Sequence, residues 1–437
     1  MTISSKIAYN KAMGKYFGTD GIRGKFGEKL DAGLAYKTGL ALSEFFGRGD
    51  YYIARDTRVS GIAIESALAS GICDGGGTAI ICGIIPTPAV AFLTKKHKGV
   101  CAVMISASHN PAEYNGIKAF DGSGVKMNEE QEGSIEYYID NPSTRVREKG
   151  KTSTLITAAK EYIDFIVQSA NVNLKGLKVC LDCGYGAAST VAREVFEALG
   201  ADVLIENYKL RGEKINAGCG ALHPEYVRNS IENTDINVGF AFDGDADRLA
   251  VVYDGEIVDG DTVMYNLSQN RELKDGVVVG TILSNLGLEK QLEKEGKRFI
   301  RTPVGDKYIC DLMFKKNYNL GGEQSGHFIV YPEATTGDGI LSAIFFCKSL
   351  LKKGKLVAPK PLKLFPQKAI AEYAEPSIMY NKCLIELQEK TNKEWQGKGR
   401  LIVRMSGTEP KIRVMAEHES LAEVDRVLKE FKKCING

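Results

Sequence analysis

Residues 177–208 read LKVCLDCGYGAASTVAREVFEALGADVLIENY: an apolar run, a polar loop with glycines, an amphipathic stretch, a glycine and a second apolar run. The two apolar runs predict strands, and the amphipathic stretch between them predicts a helix. Runs that are apolar throughout, rather than alternating, are typical of strands covered on both faces of a parallel sheet. The segment therefore predicts an α/β unit in which a helix connects two parallel strands.

Two other segments repeat this order of elements. A glycine follows each predicted helix, as a left-handed cap would require. We therefore predict three related α/β units with mixed, mainly parallel sheets. The two repeats are DYYIARDTRVSG (50–61), a helix over 61–73 and GGTAIICGIIPTP (76–88), and then GVVVGTILSNLG (276–287), LEKQLEKEG (288–296) and KRFIRTPVGD (297–306).

The pattern changes from about residue 366. A helical stretch, two strands around a tight loop and a final amphipathic helix predict a small α+β module. Polar or Gly/Pro-bearing stretches mark the predicted boundaries between units. The predicted domains are 1–150, 151–250, 251–365 and 366–437.

Composition excludes several classes of protein. The 437 residues are 43% hydrophobic and 26% charged, as in globular proteins, and the formal net charge of +2 provides no global basic field for nucleic acid. No run of about 18 apolar residues is present, so no membrane span is expected. The N-terminus lacks the apolar core of a signal peptide, and Met13 is a second plausible start that would make the first dozen residues an extension.

The ten cysteines are scattered, and several lie in apolar runs. This usage is typical of a reducing compartment, where cysteine acts as a small apolar side chain, so we expect a cytoplasmic protein. Cys180 and Cys183 form a C-x-x-C, but they belong to a predicted strand and no second pair lies at zinc spacing. The five histidines do not cluster, which argues against a His-rich metal site.

The most informative motif is FAFDGDADRLAVVYDG (240–255). Asp243, Asp245 and Asp247 alternate, so in an extended backbone their carboxylates would point the same way and repel unless a cation lies among them. Hard oxygen ligands favour Mg²⁺. An EF-hand is excluded, because the sixth position holds Arg248 instead of Gly. The alternative, a solvated acidic turn, fits the apolar flanks poorly, and Arg248 would balance charge or contact a phosphate.

Three further loops carry ligand-binding residue types. In RMSGTEPKIR (404–413), a guanidinium, hydroxyls and free N–H groups suit a phosphate dianion. In GGEQSGH (321–327), Glu323 and Ser325 alternate onto one side and suit sugar hydroxyls, and in FGTDGIRG (17–24), Arg23 suits an anion. For each loop, an ordinary turn with polar residues facing water is the open alternative.

The stretch ISASHNP (105–111) places Ser108 directly after an apolar run, with Lys118 ten residues later. His109 adjoins this serine, but adjacent side chains in extended backbone point apart, so acyl-transfer chemistry fits poorly. A serine near a metal site and a lysine fits phosphoryl transfer. One competing pattern is CGYGAAS (183–189) followed by Glu206, which imitates a dinucleotide-binding loop but leaves the three aspartates unexplained.

Taken together, the motifs resemble those of the α-D-phosphohexomutase superfamily. The resemblance covers nearly the whole chain, with FGTDGIRG, ISASHNP, DGDADR, GGEQSGH and RMSGTEP in the family's order. FGTDGIRG, SGTEP and Gln324 look like the bacterial branch that acts on glucosamine phosphates, since relatives acting on mannose or glucose phosphates more often carry methionine at the Gln324 position.

The resemblance implies three α/β domains and a C-terminal domain around a central active-site cleft. It also implies an isomerase, an intramolecular phosphotransferase that interconverts glucosamine 6-phosphate and glucosamine 1-phosphate. The implied route uses a phosphoserine and a glucosamine 1,6-bisphosphate intermediate, and it feeds UDP-N-acetylglucosamine and cell-wall precursor synthesis.

The same resemblance implies a role for each candidate residue. Ser108 would carry the phosphoryl group and would hold one Mg²⁺ together with the three aspartates. The remaining residues divide into those near the reacting phosphate (Lys118 as general acid/base, His109, Arg23 and Arg248), those on the sugar hydroxyls (Glu323 and Ser325) and those on the second phosphate (Arg404, Ser406, Gly407, Thr408 and Arg413).

Three alternatives stay open at this point. The first is a mutase of the same superfamily acting on mannose or glucose phosphates. The second is a Mg²⁺-dependent phosphatase with Asp243 as nucleophile, and the third is a phosphosugar-binding protein without catalysis. A homodimer is compatible with each of them.

Overall fold

The computed structural model describes residues 14–18, 20–142, 148–352, 355–406 and 410–436. Met13, Gly407 and Thr408, which carried predictions, lie outside these residues. Among the described residues, none of the helices combines the length and the apolar character needed to cross a bilayer.

The first unit is built on a seven-stranded mixed sheet. Its strands are β1 (Phe17–Gly18), β2 (Gly21–Lys25), β3 (Asp50–Arg55), β4 (Thr78–Ile84), β5 (Cys101–Ile105), β6 (Tyr114–Asp121) and β7 (Thr152–Thr154), and its helices are α1 (Ala32–Phe46), α2 (Gly61–Asp74), α3 (Thr87–Lys96) and α4 (Glu129–Asp140). The strand order is β1-β2-β6-β5-β3-β4-β7. Strand β3 pairs in parallel with β4 and β5, whereas β6 runs antiparallel to β5 and β2.

The second unit begins with α5 (Ala158–Ala170) and contains a five-stranded sheet. Its other elements are β8 (Lys178–Asp182), α6 (Ala192–Ala198), β9 (Asp202–Glu206), α7 (Pro224–Ile231), β10 (Val238–Phe242), β11 (Leu249–Tyr253) and β12 (Glu256–Val258). The order is β12-β11-β10-β8-β9, with β8 parallel to both β9 and β10. The predicted strand–helix–strand unit over 177–208 is thus present.

The third unit contains a four-stranded sheet in the order β14-β13-β15-β16. Its elements are α8 (Gly260–Leu267), β13 (Val277–Thr281), α9 (Leu286–Lys294), β14 (Arg298–Thr302), α10 (Asp306–Lys316), β15 (Leu320–Gly322), β16 (Phe328–Val330) and α11 (Gly339–Leu350), followed by the short hairpin β17 (Leu351–Lys352) and β18 (Lys355–Leu356). The predicted left-handed cap is found after α9, where Gly296 has φ 71°.

The C-terminal unit is the predicted α+β module with one strand more than expected. Its elements are β19 (Gln367–Tyr373), α12 (Lys382–Glu394), β20 (Gly399–Met405), β21 (Lys411–His418) and α13 (Leu421–Asn436). Strand β21 lies between β19 and β20 and pairs antiparallel with both. The α/β and α+β fold class is therefore confirmed.

One cysteine pair departs from the expectation that the cysteines act only as small apolar side chains. Cys383 and Cys434 form a disulfide between α12 and α13, with their Cα atoms 5.8 Å apart. Cys82, Cys101 and Cys180 do fit the expectation, because each is a free, buried thiol whose pKa burial raises.

A continuous apolar core joins the three α/β units. Phe240 of β10 lies 5.8 Å from the ring of Phe196 on α6 and 6.3 Å from that of Phe346 on α11, so side chains of the second and third units share one interior. The C-terminal unit has a separate cluster around Trp395 and Phe431. The shared core thus fixes the positions of the loops of the first three units relative to one another.

The polar motifs lie at the carboxyl ends of the strands. Ser106 follows β5, Asp56 follows β3, Asp243 follows β10 and Glu323 follows β15. Open α/β sheets bind ligands at this edge, because the loops there leave the packed layers. The three sheets therefore present their motif loops where a site can form.

Candidate active site

Ser108 lies at the junction of the first and second units. The residue is 1% exposed, and its Oγ donates a 2.5 Å hydrogen bond to Asp243 Oδ2, which is 135 positions away in the sequence. Its backbone has φ 53°, the left-handed region that non-glycine residues rarely adopt. The fold therefore brings the predicted nucleophile loop onto the predicted metal loop.

The three aspartates converge, although not for the predicted reason. Their loop is a turn in which Ala246 has φ 56°, so the backbone is not extended as the alternation argument assumed. One carboxylate oxygen from each of Asp243, Asp245 and Asp247 lies within 4.8 Å of the others, and all three side chains are buried. The turn, rather than a strand pleat, makes the carboxylates meet.

Lys118 provides the positive charge nearest to these carboxylates. Its Nζ lies 2.6 Å from Asp245 Oδ2 and 2.8 Å from Asp247 Oδ2, and its side chain is 4% exposed. Burial opposes the charged form of this lysine, but the two aspartates outweigh burial and raise its pKa. Lys118 also counteracts the effect of burial on Asp247, whose pKa lies well below its usual value.

The pKa of Asp243 is shifted in the opposite direction from that of Asp247. Burial and the charges of Asp247 and Asp245 raise its pKa to about 8, so without a further cation its carboxyl keeps a proton at neutral pH. The buried Oδ1 atoms of Asp245 and Asp247 have no hydrogen-bond partner. Two buried carboxylate oxygens without partners beside a third buried carboxylate fit Mg²⁺, which these three residues together with Ser108 would hold.

We expect the affinity for Mg²⁺ to depend on pH through Asp243. Because the ion must displace the proton on Asp243, the dissociation constant should fall by about tenfold per pH unit as the pH rises toward 8 and should level off above it. Calorimetric titration with MgCl₂ over this range measures the slope. An Asp243→Asn variant has no such proton and should bind weakly with little slope, whereas a flat profile for the unaltered protein would contradict the assignment.

His109 lies closer to the serine than predicted. Its Nδ1 is 3.3 Å from Ser108 Oγ, because the left-handed backbone at Ser108 removes the divergence that an extended chain would impose. Burial, together with Arg248 and Arg23, lowers the pKa of His109 to about 4. The imidazole is therefore neutral near pH 7, while the single proton of Ser108 Oγ is donated to Asp243.

Arg23 and Arg248 both face this centre. Each has a buried Nε without a hydrogen-bond partner, although Arg23 has a distant 3.8 Å ion pair with Asp20. Arg248 is held in place by its backbone N–H, which donates to Asp243 Oδ1 at 3.1 Å. Two guanidiniums with unused donors suit an anion such as a phosphate.

The third unit brings the GGEQSGH loop against the metal loop. The Leu249 N–H donates to Gly326 O at 2.9 Å, and Glu323 Oε1 accepts a 3.2 Å hydrogen bond from the Gly305 N–H. Glu323 is partly buried, and burial raises its pKa, whereas Ser325 is exposed in a turn. Glu323 and Ser325 therefore differ in environment, and, among the residues that the structure describes, only the side chain of Glu323 has a hydrogen bond to a neighbouring loop.

The fourth predicted loop lies in the C-terminal unit. Arg404 and Arg413 are Cα partners across β20 and β21, and the Ser406 N–H donates to Lys411 O at 2.7 Å. Burial and the neighbouring Arg413 lower the pKa of Arg404. In the described part of the chain, Arg404, Ser406 and Arg413 make no hydrogen bond or ion pair with the other three loops.

Several side chains that the sequence argument did not single out contact these loops. Thr87 Oγ1 donates to Asp245 Oδ2 at 2.5 Å, and His327 lies 3.9 Å from Asp247 and 3.7 Å from Asp306. Asp306 in turn accepts hydrogen bonds from Lys126 at 3.0 and 3.1 Å. Thr87 and Asp306 begin α3 and α10, the helices that follow β4 and β14, so the rule that ligands bind at carboxyl ends of strands would have included them.

Comparison with known proteins agrees with this architecture. Four family descriptions match: "Phosphoglucomutase/phosphomannomutase, alpha/beta/alpha domain I" at residues 14–145, domain II at 160–256, domain III at 259–362 and "C-terminal domain" at 357–433. Curated phosphoglucosamine mutases from Caldanaerobacter subterraneus subsp. tengcongensis and Bacillus subtilis are each 41% identical over 443 residues, covering 97% of this chain and 99% of theirs.

Solved structures show the same fold at lower identity. A phosphoglucomutase/phosphomannomutase family protein from Burkholderia thailandensis superposes with a TM-score of 0.81 at 24% identity and covers 96% of both chains. Aspergillus fumigatus N-acetylphosphoglucosamine mutase in complex with GlcNAc-6P and magnesium gives a TM-score of 0.65 at 18% identity, again over 96% of both chains. With its four matched domains and full-length relatives, the chain belongs to the phosphoglucomutase/phosphomannomutase family, the α-D-phosphohexomutases.

Proposed function

We propose that this protein is a phosphoglucosamine mutase, which interconverts glucosamine 6-phosphate and glucosamine 1-phosphate. The observation that carries the proposal is the 2.5 Å hydrogen bond from Ser108 Oγ to Asp243, within a buried acidic triad that Lys118 contacts. The choice of the amino sugar is supported by the 41% identical phosphoglucosamine mutases.

The proposed cycle begins with a phosphate on Ser108 Oγ. This phosphate passes to the free hydroxyl of the sugar phosphate as its bond to Ser108 Oγ breaks. The proton of that hydroxyl ends on Ser108 Oγ, and the product is glucosamine 1,6-bisphosphate. The bisphosphate reorients, and its other phosphate returns to Ser108. When bound, Mg²⁺ neutralises charge on the transferring group.

The chain's own residues provide positive charge and proton transfer. The raised pKa of Lys118 keeps its ammonium charged at neutral pH, which suits electrostatic stabilisation of the transferring phosphoryl group. Neutral His109, 3.3 Å from Ser108 Oγ, suits acceptance of a proton from this oxygen. Arg23 and Arg248 would bind phosphate oxygens through their unused Nε donors.

The second phosphate is assigned to the C-terminal loop. Arg404 and Arg413 lack a carboxylate partner in the described part of the chain, and Arg404 is half-buried. Two guanidiniums without partners at one turn favour a dianion. One such site serves both orientations of the bisphosphate, while Glu323 and Ser325 would bind the sugar hydroxyls between the two phosphates.

Removing Arg404 should weaken substrate binding more than it slows the chemical step. A charge-assisted hydrogen bond contributes about 1.5–3 kcal/mol, so Arg404→Ala should lower kcat/KM by about ten- to a hundredfold, mainly through KM. Steady-state kinetics with glucosamine 6-phosphate measures the effect. Arg426→Ala is the matched control, because Arg426 is an arginine of the same unit paired with Glu423 at 2.8 Å. Equal KM values for both variants would contradict the assignment.

Two measurements test the proposed function. Phosphopeptide mapping over residues 101–118 should find phosphate on Ser108, and kcat/KM should be highest for glucosamine 6-phosphate among glucosamine, mannose and glucose 6-phosphates. A preference for mannose or glucose would favour the alternative hexose mutase.

A phosphatase with Asp243 as nucleophile has less support. Asp243 accepts a hydrogen bond from Ser108, and its raised pKa leaves the carboxyl protonated and poorly nucleophilic without the metal. Steady release of inorganic phosphate from an aspartyl phosphoenzyme would favour it.

A further inference from the structure

A fully buried arginine lies beneath the Ser108 loop. Arg58 follows β3 and has no exposed side-chain area. Its Nη2 donates to the carbonyl of Ser108 at 2.9 Å and to that of Asn110 at 2.7 Å, and its Nη1 donates to the carbonyls of Pro111 and, at 2.9 Å, of Tyr114. Both terminal nitrogens of this guanidinium therefore donate to backbone carbonyls between Ser108 and Tyr114, in the loop after β5 and at the start of β6.

A second side chain donates to the same carbonyls from the other unit. Asn216 lies in the connection between β9 and α7, and its Nδ2 donates to Ser108 O at 2.8 Å and to Asn110 O at 3.2 Å. Two donors from different units thus converge on two carbonyls. A shift of the loop relative to the second unit would break the hydrogen bonds from Asn216, and a shift relative to its own sheet would break those from Arg58.

The backbone N–H of Ser108 is also connected to Arg58, through Ser106 and Asp56. This N–H donates to Ser106 Oγ at 2.8 Å, Ser106 Oγ donates to Asp56 Oδ2 at 2.6 Å, and Asp56 Oδ2 accepts from Arg58 Nε at 2.9 Å. The backbone N–H and the backbone carbonyl of Ser108 are therefore both linked to Arg58, the carbonyl directly and the N–H through two side chains. Serine seldom adopts φ near +53°, and such a conformation persists when its surroundings over-determine it.

We propose that Arg58 and Asn216 are positioning residues that set where Ser108 Oγ lies relative to the acidic triad. Neither side chain hydrogen-bonds the Oγ atom, so both act through the backbone of the loop. The inference rests on the proposed function, because it concerns the oxygen that carries the phosphate. It predicts damage to phosphoryl transfer with little change in sugar binding.

The test compares Arg58→Lys and Asn216→Ala with matched controls. Lysine keeps the charge of Arg58 but cannot donate to four carbonyls in the guanidinium geometry. Arg271→Lys is the first control, because Arg271 donates to Tyr331 O at 2.8 Å away from the site. Asn266→Ala is the second, because Asn266 Nδ2 bridges the carbonyls of Thr262 and Lys360 at 2.8 and 3.0 Å.

We expect kcat to fall by about a hundredfold in Arg58→Lys and in Asn216→Ala, with KM for glucosamine 6-phosphate within about threefold of the unaltered protein. The rate at which glucosamine 1,6-bisphosphate phosphorylates Ser108, followed by intact mass, should fall in parallel. Both controls should retain kcat within about threefold, even where their melting temperatures drop.

The outcomes separate the inference from the proposed function. Suppose that the unaltered protein takes up phosphate on Ser108. If both variants then keep a normal kcat, or if kcat falls as far in the controls as in the variants, the positioning role is overturned and the proposed function stands. If the unaltered protein takes up no phosphate on Ser108, the proposed function fails, and the inference fails with it. Should Arg58→Lys not fold, Asn216→Ala decides, because Asn216 is only partly buried.

Discussion

Replacing Ser108 with alanine is expected to abolish turnover, with a loss on the order of 10⁴-fold or more, the scale seen when a nucleophile is deleted. The reason is covalent, since without Oγ the enzyme has no atom on which to carry the phosphate between the two half-reactions. Folding should be little affected, because alanine removes one hydroxyl that donates to Asp243. Coupled-assay kinetics and intact mass, which should show no added phosphate, check both points.

Ser106→Ala is the control for this experiment, and the structure refines what it should show. Ser106 Oγ accepts from the Ser108 N–H and donates to Asp56, so its loss removes two buried hydrogen bonds from the loop. At about 1 kcal/mol for each bond, we expect kcat to fall by roughly thirtyfold, with phosphate still appearing on Ser108. A comparable loss of turnover in Ser108→Ala and Ser106→Ala, or no loss in either, would contradict the assignment of Ser108.

Lys118→Met should produce the second large effect, on stability as well as activity. Removing one partner of a buried ion pair leaves Asp245 and Asp247 facing each other without the ammonium, which costs about 3–5 kcal/mol of unfolding free energy. We expect kcat to fall by about 10²–10³-fold, the scale seen when one group that stabilises the charge of the transition state is removed. Chemical denaturation with and without Mg²⁺ and steady-state kinetics measure the two effects.

Mg²⁺ should restore part of the stability lost in Lys118→Met, because the ion replaces the missing positive charge. At a hundredfold excess over its dissociation constant, a bound ion adds about 2.7 kcal/mol. Lys126→Met is the matched control, since Lys126 is a buried lysine whose contacts at 3.0 and 3.2 Å are to Asp306 and Asp20, outside the triad. The control should lose comparable stability and gain no more from Mg²⁺ than the unaltered protein. Equal recovery by Mg²⁺ in both variants would contradict this account of Lys118.

Several residues of the candidate site were accessible to local pattern reasoning. Three aspartates within five positions and a serine after an apolar run are dense enough in sequence to identify without the fold. Arg58 and Asn216 were not accessible in this way, because they act across 50 and 108 positions through backbone carbonyls of the Ser108 loop. No local spacing encodes such a contact.

Backbone conformation limited the local arguments as well. The alternation of Asp243, Asp245 and Asp247 and the adjacency of Ser108 and His109 were both judged on an extended chain. In the structure, Ala246 and Ser108 adopt positive φ, so the acids meet through a turn and the imidazole reaches the serine. Tertiary hydrogen bonds hold these strained residues, and the residue types alone do not reveal it.

The amino-acid sequence by itself determined the strand–helix–strand periodicity, the number and order of units and the chemical type of each loop. These follow from hydrophobic period and side-chain chemistry, which act over a few residues. The tertiary structure alone decided that loops from three units share one centre, that Lys118 rather than Arg248 pairs with the triad, and that Arg58 and Asn216 hold the Ser108 loop. Those choices depend on the packing of separate sheets around a common core, which brings together side chains that are far apart along the chain.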